Sequence, residues 1–121
     1  HALSPFATHL LFSSDSIALR DETVRVLLVV LERLRQDPGI RRVVIVGHAD
    51  RLGEESRNTD LSRARAIAVR DWLIRRGISR RRLEVRAAGT SRPLVDGDTP
   101  EALARNRRVE LHVVDPPLSS P

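Results

Sequence analysis

Asp50 and Arg65 are the residues best placed to do chemistry in this chain. A β-branched run, Val43-Val44-Ile45-Val46, leads into Gly47-His48-Ala49-Asp50, so a strand of buried character ends in a turn that presents a carboxylate. Arg65 follows fifteen residues on, within Leu61-Ser62-Arg63-Ala64-Arg65-Ala66, on the first turns of an expected helix. Ligands of open α/β sheets collect just beyond the carboxyl ends of strands. There an acid and a guanidinium can grip the ammonium and carboxylate of one amino-acid-like ligand, because arginine matches a carboxylate bidentately. That is binding chemistry, not bond-breaking chemistry. The bland alternative is a structural ion pair, since structural charges also occupy such turns.

Other chemistries find less support. His48 and Asp50 lie two apart on a strand end, so in extended geometry they face the same way and suggest a metal pair. A third ligand is missing nearby, so His48 is read as a support for the turn, with no metal and no cofactor expected. Cysteine is absent, which excludes thiol catalysis, thiolate zinc sites and disulfides. All 21 basic residues are arginine, which removes Schiff-base chemistry and the P-loop lysine. No Gly-x-Ser-x-Gly elbow occurs, and the chain is not expected to be an enzyme. The formal charge of +5 would favour polyanions. Its densest cluster is Arg75-Arg76 with Arg80-Arg81-Arg82, and a basic module for nucleic acid or an anionic surface is the alternative reading. No recognition helix or stacking aromatics accompany the cluster, so a solvated helix end suited to the C-terminal dipole is favoured and no nucleic acid is expected.

These residues need a scaffold, and 121 residues suit one compact domain. The apolar content of 40% can furnish a single core, built from Leu, Val, Ile and Ala because only Phe6, Phe12 and Trp72 are aromatic. His9-Leu10-Leu11-Phe12 predicts a first strand, stopped by Ser13-Ser14-Asp15-Ser16. Asp21-Glu22 opens a helix to about Gln36, with Val24, Leu27, Leu28, Leu31 and Leu34 as its buried stripe. The second strand is Arg42 to Gly47, buried on both faces. A second helix is predicted from about Asp60 to Arg76, closed by Gly77. On it Ser62, Ala66, Val69 and Leu73 face inward, while Leu61, Arg65, Ala68 and Trp72 form a neighbouring stripe that leaves Arg65 at the margin of the core. Leu83 to Ala88 is the third strand, Pro100 to Asn106 a short helix, and Val109 to Val114 the last strand. The order is βαβαβ with a further short helix and strand: an α/β fold (α+β sandwich), one mixed sheet with helices packed on it. Residues 1–7 read as an N-terminal extension, 8–114 as the domain, and 115–121 as a disordered Pro/Ser tail. The opening His1-Ala2-Leu3-Ser4-Pro5 lacks signal-peptide character and suggests an excised domain or mature fragment. No run of about 18 apolar residues is present to span a membrane.

The chain from about Phe12 to Val114 resembles the OmpA-like peptidoglycan-binding domain of OmpA C-terminal regions, peptidoglycan-associated lipoproteins and flagellar stators. The resemblance is carried by Gly47-His48-Ala49-Asp50, Gly53, Asn58, Leu61-Ser62, Arg65-Ala66, Gly77-Ile78, Gly89, Pro93 and Asn106-Arg107-Arg108-Val109-Glu110. It implies that Asp50 and Arg65 hold the free end of diaminopimelate in a peptidoglycan stem peptide. It further implies that Phe12-Ser13-Ser14-Asp15 lines the same pocket through Ser13 and Asp15, with Arg107 nearby. Ala49 stands where threonine is commoner, Ser13 where aspartate is frequent, and Ala87-Ala88-Gly89 lacks the usual aromatic. The expected partner is therefore diaminopimelate-type peptidoglycan and the expected place the periplasm. Membrane attachment would come only through an anchor outside this sequence.

Overall fold

Strand β2 (Val43–His48) occupies the middle of the molecule because both its faces and both its edges are used. A computed structural model describes residues 3–114 and, within it, a four-stranded sheet in the order β1-β4-β2-β3. The elements run β1 (Leu3–Leu11), α1 (Asp21–Gln36), β2, α2 (Glu55–Arg75), a 3-10 turn (Arg80–Arg82), β3 (Leu83–Gly89), α3 (Pro100–Asn106) and β4 (Arg108–Val114). β2 pairs parallel with β3 and antiparallel with β4, and β4 pairs antiparallel with β1. The mixed α/β sheet expected from the sequence is thus present, but the last strand inserts between the first two. This places the start of β4 beside the carboxyl ends of β1 and β2, with Leu11 opposite Arg108 and Gly47 opposite Val109.

The core lies between one face of the sheet and helices α1 and α2. Leu10, Leu27, Val43, Ile45, Ala66, Val69, Leu73, Val109 and Leu111 are fully buried in it. The stripe of α1 differs from expectation: Leu28 is half exposed, and Val30 takes its place beside Leu27, Leu31 and Leu34. Leu28 sits about 100° around the helix from Leu27, beyond the reach of the core. Helix α2 starts at Glu55, earlier than the predicted Asp60. Its polar first turns are satisfied locally, with Asn58 Nδ2 donating to the Leu52 carbonyl at 2.8 Å and Thr59 Oγ1 to that of Glu55 at 3.0 Å. At its other end Gly77 is left-handed at φ 99°. Its N–H donates to the Ile74 carbonyl, and the Ile78 N–H to that of Leu73, the paired bonds of a Schellman stop. The first strand begins at Leu3, not His9, and its irregular pairing around Pro5 and Ala7 is what an edge strand carrying proline requires. Residues 115–121, expected as a disordered tail, lie outside the described residues.

The arginine cluster is not uniformly solvated. Arg82 donates to the carbonyls of Leu34, Asp37 and Ile40 at 2.7–3.1 Å, closing the end of α1 with a charge-assisted cap. Arg76 stacks on Trp72 at 3.8 Å from the ring centroid.

Two close contacts fix the sheet against α2. A Cβ on Gly47 would stand 1.8 Å from the Ser62 carbonyl oxygen, so only glycine lets the helix backbone approach β2 this closely. Ser62 Oγ in turn accepts the Gly89 N–H at 3.1 Å, tying the helix to β3 as well. On the opposite face of the sheet, His48 is 2% exposed beside Glu110, which also takes Arg108 at 2.7 Å and His112 at 3.1 Å. His48 Nε2 is 3.3 Å from Glu110 Oε1 without the alignment of a hydrogen bond. Burial, seconded by Arg108, lowers the His48 pKa to about 4, and Glu110 only partly opposes this.

Gly47→Ala should destabilise the domain by about 3 kcal/mol or more, the upper end for overpacking, because a backbone carbonyl cannot rotate aside. Urea unfolding measures it, and a loss below about 1 kcal/mol would show that α2 is free to shift. The His48 pKa is lower folded than unfolded, so its contribution is complete above pH 6.5 and drains away as pH falls toward about 4. About 3 kcal/mol should be lost over that window. His48→Asn should flatten this part of the stability profile; parallel slopes in both proteins would refute the assignment.

Candidate functional site

Four chain segments converge beyond the carboxyl end of β2: the loop after β1, the turn 49–54, the first turns of α2, and Arg107 just before β4. They enclose a cavity of about 230 Å³ whose charged lining is Asp15, Asp50, Arg57, Arg65 and Arg107. Gly53 at φ 86° turns the 49–54 segment, and Asn58 holds it through the Leu52 carbonyl.

Arg65 is completely buried, not marginal as its helical stripe suggested. Its guanidinium donates to the carbonyls of Ser16 (Nε, 2.9 Å), Ser13 (Nη2, 2.9 Å) and, more distantly, His48 (Nη1, 3.4 Å). The Phe12 ring lies beneath it, 5.4 Å from the centroid. Burial first, then repulsion from Arg107, pulls its pKa down to about 10, while Asp50 and Asp15 pull the other way. It stays charged at neutral pH, yet it has no carboxylate partner of its own among the described residues. A further anion at this guanidinium would relieve that deficit.

Asp50 is turned toward the same cavity. Its Oδ1 accepts the Leu52 N–H at 3.1 Å and its Oδ2 takes Arg107 Nη1 at 3.1 Å. Arg107 is itself anchored, for its Nε donates to the Phe12 carbonyl at 3.1 Å and its own carbonyl accepts the Phe12 N–H at 2.9 Å. Asp50 and Arg65 thus share a cavity without forming a direct salt bridge to each other among the described residues. Asp15, left-handed at φ 52°, pairs with Arg57 at 2.9 Å across the mouth. Ser13 enters differently from the expectation: its side chain is exposed, and its contribution is the carbonyl that holds Arg65. The hydroxyl-bearing neighbour that lines the cavity is Ser14.

His48 and Asp50 do not face the same way. The pairing shifts register between Gly47 and His48, where the strand ends, so strict alternation stops before Asp50. The His48 ring sits on the far face of the sheet with Glu110, while only its carbonyl reaches Arg65. Among the described residues no group of three or more His, Asp or Glu side chains is placed to hold a metal. The side chain missed from sequence is Arg57. Arg57, Leu61 and Arg65 follow at i, i+4 and i+8 and all line the cavity, a spacing hidden by starting the helix at Asp60.

Comparison with known proteins bears on the family and the fold. Residues 11–107 match the OmpA family. The chain is 38% identical over 100 residues to the peptidoglycan-associated lipoprotein of Pseudomonas aeruginosa, covering 83% of this chain and 58% of that protein. It is 35% identical over 102 residues to the peptidoglycan-binding protein ArfA of Mycobacterium tuberculosis, covering 84% of this chain and 31% of ArfA. The crystal structure of the peptidoglycan-associated lipoprotein from Burkholderia pseudomallei superposes with a TM-score of 0.81 at 28% identity, covering 88% of each chain. The chain therefore spans somewhat over half the length of the lipoprotein from Pseudomonas and about a third of ArfA. With its family match spanning most of the chain and every residue that lines the cavity, this chain belongs to the OmpA family.

Proposed function

We propose that this domain binds peptidoglycan without catalysis, through the free amino-acid end of diaminopimelate in the stem peptide, and so anchors an envelope protein to the wall on its periplasmic side. The observation that carries the reading is the charge arrangement in the cavity. A fully buried guanidinium that lacks a carboxylate of its own faces the same space as a carboxylate paired with Arg107. The ligand ammonium would take Asp50, and its carboxylate would take the N–H groups of Arg65 left free by the three carbonyl contacts. Arg107 would be shared between Asp50 and the incoming carboxylate. Relatives named for peptidoglycan association and peptidoglycan binding support the same partner. Among the described residues no helix is long and apolar enough to cross a membrane, so on this reading the membrane tether lies elsewhere in the parent protein.

The nucleic-acid alternative finds no stacking surface in the arginine cluster, although Arg75, Arg80 and Arg81 are exposed. Trp72 is buried beneath Arg76 and offers no face for base stacking, and Arg82 is occupied by the carbonyls of Leu34, Asp37 and Ile40.

Because Arg65 holds two backbone segments through three carbonyls, Arg65→Ala is expected to weaken the fold as well as binding. Asp50→Asn is the cleaner test, since it keeps an acceptor for the Leu52 N–H and disturbs only the Arg107 pair besides. It should lower affinity for sacculi by about 2–5 kcal/mol in a variant that still unfolds cooperatively. Co-sedimentation at wild-type levels by the folded variant would exclude Asp50 from the contact.

Carboxylate reading is tested through the ligand. A lysine-type stem keeps the amine and lacks the carboxylate, leaving Arg65 without its acceptor at a cost of about 1.5–3 kcal/mol, roughly tenfold to a hundredfold in affinity. Amidating that carboxylate should weaken binding less, because an amide oxygen still accepts. Calorimetric titration with matched diaminopimelate, amidated and lysine tripeptides decides the matter, and equal affinities would remove Arg65 from ligand recognition.

A further inference from the structure

The cavity holds three guanidiniums, Arg57, Arg65 and Arg107, against two carboxylates, Asp15 and Asp50. Two ion pairs use up both acids: Arg107 with Asp50 at 3.1 Å and Arg57 with Asp15 at 2.9 Å. Arg65 is left over, bonded only to carbonyls. A zwitterionic amino-acid centre brings no net charge, so its arrival redistributes these pairs but leaves the excess of one positive charge standing. A ligand that neutralises the cavity must carry one carboxylate more than it carries ammonium groups.

We infer that the ligand is a monoanion, one ammonium with two carboxylates, and that Arg57 reads the second carboxylate. This rests on the function proposed above and deepens it. Arg57 is suited to the role because both it and Asp15 are about two-thirds exposed, at 66% and 65%, so their pair is screened and easily exchanged. It also lies on the same helical face as Arg65, eight residues earlier, which is about 12 Å along the axis. A single amino-acid centre has one carboxylate, and on the reading above Arg65 takes it. The second carboxylate therefore belongs to a neighbouring part of the same short peptide. Two groups in a diaminopimelate stem have this chemistry: the α-carboxylate of an adjacent γ-linked glutamate, and the carboxylate on the peptide-linked centre of diaminopimelate itself.

Calorimetric titration of the domain with three tripeptides distinguishes them: all carboxylates free, the glutamate carboxylate amidated, and the peptide-linked diaminopimelate carboxylate amidated. One of the two amidations should weaken binding to the wild type about fivefold to tenfold, and which one does so names the source. Arg57→Gln should bind the free-acid peptide at that weakened level and no longer discriminate within the pair, while Arg57→Lys should recover part of the difference. Unchanged unfolding midpoints for both variants establish that the fold is intact. Equal wild-type affinity for all three peptides overturns the role of Arg57 and leaves the diaminopimelate reading standing, as does a Gln variant that discriminates like wild type. Failure of the wild type to bind any of the three overturns both.

Discussion

Everything at the carboxyl end of β2 depends on one buried guanidinium. Taking an arginine out of water is expensive, and the expense is tolerable only where hydrogen bonds meet it. Arg65 is met by carbonyls of residues 13, 16 and 48, belonging to two segments that are otherwise separate, with Phe12 beneath its face. One side chain thus fastens the loop after β1 and the end of β2 to α2. Carbonyl oxygens carry only partial charge, so they hold the guanidinium in place without cancelling it. A lysine could not substitute, since a single ammonium lacks the planar fork that reaches three acceptors at once.

The placement of that guanidinium follows from two features of backbone geometry. Gly47 lets α2 settle against β2 so closely that Ser62 touches the strand, and Arg65 comes in one turn beyond, at the strand end. The antiparallel insertion of β4 between β1 and β2 then delivers Arg107 to the same place from the far end of the sequence. A β4 running parallel to β2 would instead start at the amino end of that strand, away from Asp50.

The elements governed by local pattern were legible in the sequence. Helix α1, the short α3 and strand β2 fall where periodicity and turn chemistry put them, and Gly77 stops α2 as a left-handed cap. The Asp50, Arg65, Asp15 and Arg107 side chains do meet in one cavity. Depth and facing were not legible, because they arise from packing. Arg65 on a polar stretch of helix gives no sign that three carbonyls will surround it. His48 and Asp50 point apart because a register shift ends the alternation, and register belongs to strand pairs, not to strands. Helix α2 begins early because Asn58 and Thr59, residues that often end or precede helices, find backbone partners inside its first turns.

The two faces of the sheet are mechanically joined by residues that act on both. His48 gives its carbonyl to Arg65 and its ring to the Glu110 cluster behind the sheet. In Asn106-Arg107-Arg108, Asn106 clamps the backbone of Leu94 and Val95, Arg107 holds Asp50, and Arg108 holds Glu110 on the far face. A shift of β4 along its neighbours would therefore disturb the cavity, the loop and the rear ion cluster together. Such coupling ties the acid and the guanidinium of the cavity to the sheet through several bonds each. On the function proposed above, binding to a site placed in this way loses little to ordering of the protein, so a small polar ligand end can be held by a handful of contacts. Arg65 is held in the same way, by three carbonyls with the Phe12 ring beneath it, and within that frame no acid of the described residues pairs with it.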